Sequence, residues 1–444
     1  MLGGKALPYR RRPVLQPQPK LSQHRRDTRG TATGTATLAH GHGVRSAGAP
    51  QHGPSGRQLL AQISPGENRM RTKAAVFIEA KKPLQIEELE LDAPKANEVL
   101  VKLTATGVCH SDIHVYTGDM PLPGPIVLGH EGAGVVQEVG PGVTRVKPGD
   151  KVVLTFLPAC GQCRWCHEGR PNLCDLGAML LAGVMLDQTP RLHRKDGSMV
   201  KNFLFVSTWS EYTVVPDACL VKVQDNAPLD KACLFGCGFT TGYGSTTNAI
   251  QMKPGESITI VGCGGLGLAA IQGAVASDAG QIIAVDVHEE KLTLAKKMGA
   301  THVVQNRHNP DEAVKEILSL TGGIGTDYSA EYVGYNQSPE TVDIAFRAVR
   351  KGGTMLMVGV GAFTERTLPI NPAAVTLLEK RIQGVLFGSA RFKTDIPRYV
   401  DLLLKGKLDM DGLITHHYKL EDINTCIENL LAGNKVGRQV IRFG

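Results

Sequence analysis

The sequence predicts an α/β protein: a mostly β front half followed by a doubly wound parallel sheet. Between residue 70 and about 238, short apolar runs such as "EVLVKLTATGVC", "EGAGVVQEVG" and "GDKVVLTF" are broken by Gly, Pro and Asp, the pattern of short strands joined by turns. From about 239 the rhythm changes. "SITIVGCGGLGLAAIQGAVASDAGQIIAVDV" reads strand, tight turn, helix, strand, and three later stretches up to "PETVDIAFRAVRKGGTMLMVGV" repeat the alternation. The 444 residues exceed one ordinary core, and 42% apolar with 20% charged residues is ordinary for a globular chain.

In chain order, residues 1–69 come first. They hold 11 Lys/Arg and 2 Asp/Glu, while the rest of the chain holds 38 and 40. The overall +7 therefore belongs to a tail, and the body is near neutral. The tail lacks periodicity and apolar runs, so it is expected to be disordered and without catalytic role, with His24, His40, His42 and His52 as solvated bystanders. It is Arg-rich and acid-poor like a transit peptide, without an amphipathic repeat, and an over-extended start is the alternative. Met70 opens a first strand and hairpin. Residues 70–238 form the front domain, 239–386 the parallel-sheet domain, and 387–444 a return segment that completes the front domain, with helices near 395–405 and 421–432 and a last strand "GRQVIRF". No run of about 18 apolar residues is present, so no membrane span is expected.

Gly262-Cys263-Gly264-Gly265-Leu266-Gly267 follows an apolar strand and opens an Ala/Leu-rich helix, and Asp286 ends the next strand nineteen residues on. That context reads as a dinucleotide site. Gly262 permits the turn, Gly264 lets the backbone approach a pyrophosphate, Gly267 allows close helix–strand packing, and the helix N-terminus supplies amide donors. Asp286 would bond a ribose 2′-OH and repel a 2′-phosphate, so NAD is favoured over NADP.

Ten cysteines in a chain this long indicate a reducing, cytoplasmic setting rather than a disulfide scaffold. "CGQCRWCHEGRPNLC" spaces Cys160, Cys163, Cys166 and Cys174 as C-x2-C-x2-C-x7-C, which suits a closed structural zinc, with Trp165 and His167 as bystanders. Cys109 in "GVCHSD", His130 with Glu131 in "LGHEGAG", and Cys237 in "GCGFTTGYG" form a dispersed set. Two thiolates and an imidazole would leave one position open, as a catalytic zinc requires, although spacing alone cannot bring them together.

Taken in order, "GHEGAGVV", the four-cysteine lobe, "GCGFTTGYG" and "GCGGLG" make residues 70–444 resemble the zinc-dependent medium-chain alcohol dehydrogenases. The resemblance implies a GroES-like catalytic domain and a Rossmann coenzyme domain, two zinc ions and NAD, a small alcohol or aldehyde as substrate, and a homo-oligomer of two or four chains. It assigns the catalytic zinc to Cys109, His130 and Cys237, and the structural zinc to the lobe at 160–174. It makes Glu131 a carboxylate near that metal, and Asp112 the group orienting the histidine ligand. Ser111 and His114 become a proton relay from the bound alcohol to solvent through the nicotinamide ribose, leaving an alkoxide on the zinc, although the residues alone would also fit a turn, a cap and a surface histidine. Lys291, Arg438, His110 and Thr241 become cofactor contacts beside Gly265 and Leu266, and Phe156 a substrate-pocket aromatic.

Where many ethanol-oxidising members carry Arg, this chain has His110. The Asp and Arg of the glutathione-dependent branch are replaced by Met120 and Ala178, so that substrate is disfavoured. The long Cys174–Tyr212 segment, with "DQTPRLHRKDGSMVKN", resembles both animal and plant dimers and a bacterial nicotinoprotein branch. An alcohol:acceptor oxidoreductase with tightly bound NAD(H) is therefore the alternative function. A zinc-stapled nucleic-acid binder is disfavoured by the near-neutral body, and a zinc-free reductase by the complete ligand set.

Overall fold

The computed structural model describes residues 69–444 except 335–337, 364–366 and 434–435. The expectations for the tail and its four histidines lie outside the described residues. All described residues belong to one unit, Ile63–Gly444. Among them, no helix is long and apolar enough to cross a membrane.

The expected α/β class is observed. Six strands form one wholly parallel sheet in the order His302–Gln305, Gln281–Asp286, Ser257–Val261, Thr326–Glu331, Val349–Met357, Arg381–Gly384. Both faces are covered, so its strands read as continuous apolar runs. In Ser257–Val261 and Gln281–Asp286, Ile258, Ile260, Ile282 and Ala284 enter one core cluster, while Val261, Ile283 and Val285 enter another on the opposite face. Alternation along the strand thus serves two cores at once. The strand order reverses between Ser257–Val261 and Thr326–Glu331, which opens a crevice at their carboxyl ends.

The remaining strands form a seven-stranded sheet and a small closed barrel. Glu98–Gly107 runs through the larger sheet and pairs with Gly132–Val139, Tyr212–Pro216 and the last strand, Arg438–Arg442. The barrel joins Arg69–Phe77, Gln85–Asp92, Leu192–His193, Met199–Asn202 and Ile126–Val127. Its polar Cys174–Tyr212 excursion is fastened from within. Arg191 is fully buried and grips both oxygens of Glu98 at 2.5 and 2.8 Å, Asp187 Oδ2 at 2.8 Å and Thr189 Oγ1 at 2.6 Å. Five donors on a planar fork match this ring of acceptors, which a lysine could not.

Two helices link this half to the parallel sheet. Gly238–Gly244, from "GCGFTTGYG", lies against Gly265–Ala276, which follows the glycine-rich turn. A side chain at Gly242 would stand 2.0 Å from the Leu266 carbonyl oxygen, so the glycine sets the spacing between the helices.

Candidate active site

Cys109 caps the helix His110–Thr117 directly after Glu98–Gly107. His130 and Glu131 precede the strand Gly132–Val139, and Cys237 caps Gly238–Gly244. These four buried residues, drawn from three separate stretches of the chain, place one ligand atom each within 4.8 Å of one another. The His130 ring is aimed by Asp112, whose Oδ1 accepts from Nδ1 at 2.9 Å and from the Gly129 amide at 3.0 Å. The other Asp112 oxygen accepts from the Cys109 amide at 3.4 Å, so the cap and the histidine-orienting roles coincide in one side chain. His130 Nε2 is then left buried without a hydrogen-bond partner among the described residues. An orphaned imidazole nitrogen facing two thiols and a carboxylate is the donor set of a metal site. The Cys237 thiol and the His130 imidazole hold Cys109 well below the usual thiol range against the opposing effect of burial. Burial pushes Glu131 up to about 7, with Arg438 opposing. Glu131 accepts from the Gly238 amide at 2.7 Å and pairs with Arg438.

The four lobe cysteines also converge within 4.8 Å, as free thiols. Cys160 Sγ lies 3.9 Å from Cys166 Sγ and accepts from the Gln162 and Cys163 amides at 3.3 Å each. Tetrahedral Zn–S bonds of about 2.3 Å require S–S separations of about 3.8 Å, so the spacing suits a closed zinc site. The guanidinium groups of Arg164 and Arg170 each lie 5.5 Å from the centre of the Trp165 ring.

A cleft of about 290 Å³ joins the two halves. Cys109, His110, Ser111 and His114 line one wall; Gly262, Gly264, Gly265, Leu266, Asp286 and Lys291 line the other, with Arg438 also reaching it. Asp286 is engaged on both oxygens, by the Cys263 amide at 2.8 Å and the His288 amide at 2.9 Å, which fixes the carboxylate at the strand end. Gly267 packs instead against the turn: a side chain there would meet the Gly262 oxygen at 1.9 Å. Thr241 is outside the cleft lining, its Oγ1 donating to the Cys237 carbonyl at 2.9 Å. Phe156 is likewise outside it, edge-on to His130 at 5.7 Å and to Phe387 at 5.1 Å.

Sequence reasoning missed Tyr332, Val333, Val358, Gly359 and Val360 in the cleft wall. They follow the carboxyl ends of two parallel strands next to the reversal point, where the general rule for such sheets would have pointed. Asp119, which touches His114, was also missed.

This fold and site define a two-part architecture with a metal-type donor cluster beside a glycine-rich cleft, and comparison with known proteins gives the family. Residues 95–225 match the model of the alcohol dehydrogenase GroES-like domain, and residues 265–405 that of the zinc-binding dehydrogenase. An NDMA-dependent alcohol dehydrogenase of Amycolatopsis methanolica is 42% identical over 367 residues, 83% of this chain and 98% of that one. Alcohol dehydrogenase B of Mycobacterium tuberculosis is 41% identical over 84% of this chain and 99% of its own. Among solved structures, benzyl alcohol dehydrogenase from Acinetobacter calcoaceticus superposes with a TM-score of 0.78 at 32% identity, covering 84% of this chain and all of that one. The chain belongs to the zinc-dependent medium-chain alcohol dehydrogenase family.

Proposed function

We propose that the protein is an alcohol oxidoreductase that transfers hydride from a primary alcohol to NAD, or back from NADH to an aldehyde. One observation carries the reading: the buried Cys109, His130, Glu131 and Cys237 cluster adjoins the same cleft as the glycine-rich turn, through Cys109. In this reading Cys109, His130 and Cys237 hold a catalytic zinc, the lobe cysteines hold a structural one, and Gly262–Gly267 hold the NAD pyrophosphate. When bound, zinc supplies a Lewis acid that favours the deprotonated alcohol, and NAD supplies the hydride acceptor.

The chain's own residues do the rest. Asp112 keeps His130 in the tautomer whose Nε2 is free to ligate. Ser111 takes the hydroxyl proton and passes it toward His114. Asp286 bonds the adenosine ribose with Lys291 beside it, and Arg438 and His110 carry positive or polar character to the phosphates. Phe156, edge-on to the His130 ring, supplies apolar surface beside the metal cluster rather than in the cleft lining. The proposed division of labour follows the expected boundaries: 70–238 with 387–444 serves the substrate and 239–386 the cofactor. The chain assembles as a dimer or tetramer in this reading, which sedimentation would check.

A second reading keeps NAD(H) permanently bound and hands its electrons to an external acceptor. It is supported by the 42% identity to a relative named for NDMA dependence. One experiment separates the two: absorbance at 340 nm after mixing the protein with benzyl alcohol and excess NAD. NADH accumulating far beyond the enzyme concentration establishes an exchanging dehydrogenase. A rise that stops near one equivalent per chain, or reduced cofactor already bound, establishes the second reading, and no rise with zinc-loaded protein free of bound NADH across a series of primary alcohols overturns both.

A further inference from the structure

The helix His110–Thr117 ends at Gly118, whose φ of 88° belongs to the left-handed region and folds the chain back, with its amide donating to Val115 O. The turn lays Asp119 against the last helical turn. Asp119 Oδ2 comes to 3.2 Å from His114 Nδ1 and 2.9 Å from Thr117 Oγ1. The His114 ring is buried and lines the cleft, whereas 35% of the Asp119 side chain is exposed. The pair therefore runs from the reaction cleft to solvent.

We propose that Asp119 is a positioning residue for proton transfer, fixing His114 in the Nδ1–H tautomer so that Nε2 faces the incoming proton. The proposal rests on the relay reading of Ser111 and His114 given above. The proton leaves the alcohol hydroxyl, passes through Ser111 and forms a bond to His114 Nε2, giving an imidazolium. That cation then releases a proton to water and returns to the neutral ring. Asp119 stays ionised throughout, orienting the ring and stabilising the cation, as a buried carboxylate does behind other catalytic histidines. Burial of Asp119 acts to raise its pKa, but the hydrogen bonds from His114 and Thr117 outweigh it and leave the carboxyl below its usual value.

Other charged groups are set around the pair. His110 shares its helix, and Lys81 lies close enough to act on Asp119. Lys291, Asp286 and Arg438 line the cleft opposite. The helix Ile423–Leu431, which packs on His110–Thr117, presents uncharged Leu430 and Leu431 to the cleft. Asp119 is the carboxylate in hydrogen-bond contact with the ring.

The test is the pH dependence of the first-turnover rise at 340 nm with benzyl alcohol, which reads the chemistry whether or not NAD exchanges. His114→Ala should abolish the acid limb of the wild-type profile. Asp119→Asn removes the charge but keeps an acceptor, so the acid limb should move to lower pH, because an adjacent carboxylate favours the imidazolium. Asp119→Ala should lower the plateau about 10- to 100-fold, the usual cost of losing a group that orients a working histidine. Added formate should restore part of that rate. If the limb stays in place in both Asp119 variants and formate restores nothing, while His114→Ala still removes it, Asp119 is only structural and the proposal is overturned with the relay intact. If His114→Ala leaves the limb unchanged, the relay reading itself falls, and the role of Asp119 falls with it.

Discussion

Two glycines of the turn, three residues apart, should respond to the same substitution in opposite ways. Gly264 has φ −75° and ψ −166°, an extended conformation open to alanine, and a methyl group built there meets nothing within 4 Å. Since Gly264 lines the cleft, that methyl would project into it. Gly264→Ala should therefore leave stability within about 1 kcal/mol of wild type, since the loss of chain entropy in the unfolded state and the poorer capping residue offset each other. The methyl would nevertheless occupy the approach proposed for the NAD phosphates. Losing one amide–phosphate hydrogen bond, at about 1.5–3 kcal/mol, weakens binding about 10- to 150-fold.

At Gly267 the same methyl stands 1.9 Å from the Gly262 carbonyl oxygen and 3.0 Å from its carbon. Backbone cannot swing aside as a side chain can, so Gly267→Ala should cost about 2–3 kcal/mol of folding stability. Urea denaturation and NAD titration, with the NAD retained per chain after gel filtration, measure both effects. Wild-type NAD affinity in Gly264→Ala would refute the placement of the phosphates at this turn. Equal destabilisation by the two variants would refute the packing argument.

Cys109→Ser and His130→Ala should each lower kcat at least about 100-fold while far-UV circular dichroism stays native, because in the proposed function they remove metal donors rather than core packing; near-native turnover in either would count against the catalytic site. Arg191→Met should cost about 3–5 kcal/mol in urea denaturation, because it strands the buried Glu98 carboxylate without its cation. Burial acts to raise the Asp150 pKa, but the Lys222 and Lys147 hydrogen bonds prevail and lower it to about 2. Its contribution is thus fully present above the unfolded value near pH 4 and lost as pH falls toward 2. Wild type and Asp150→Asn should therefore differ in stability at pH 7 and converge near pH 2.

Much of the architecture was legible because its causes are local. The strand–turn–helix text around Gly262 fixes its own geometry through φ-permissive glycine and apolar alternation, and Ser257–Val261 stands as read. The lobe was legible for the same reason, with its four cysteines within fifteen residues. What escaped depends on long-range return of the chain. Arg438 meets Glu131 across 307 positions, and the resemblance offered Arg438 only as a phosphate contact. Thr241 carries nothing local to reveal that its hydroxyl is spent on its own helix. The His114–Asp119 pair is close in sequence, yet it exists because Gly118 reverses the chain, and spacing alone gives no direction to a side chain beyond a turn.

The last strand, Arg438–Arg442, pairs with Glu98–Gly107 and delivers Arg438 to Glu131 beside the metal-site cluster. A protein is made from its amino end, so Glu131 is synthesised and begins to lose water long before its cation exists. Glu131 cannot meet this cation until a residue 307 positions further on has been made, and contacts this distant in sequence form slowly. Assembly of the site is thereby tied to the arrival of Arg438–Arg442: a chain lacking that strand would keep its glycine-rich turn and its lobe, but would leave Glu131 buried without Arg438.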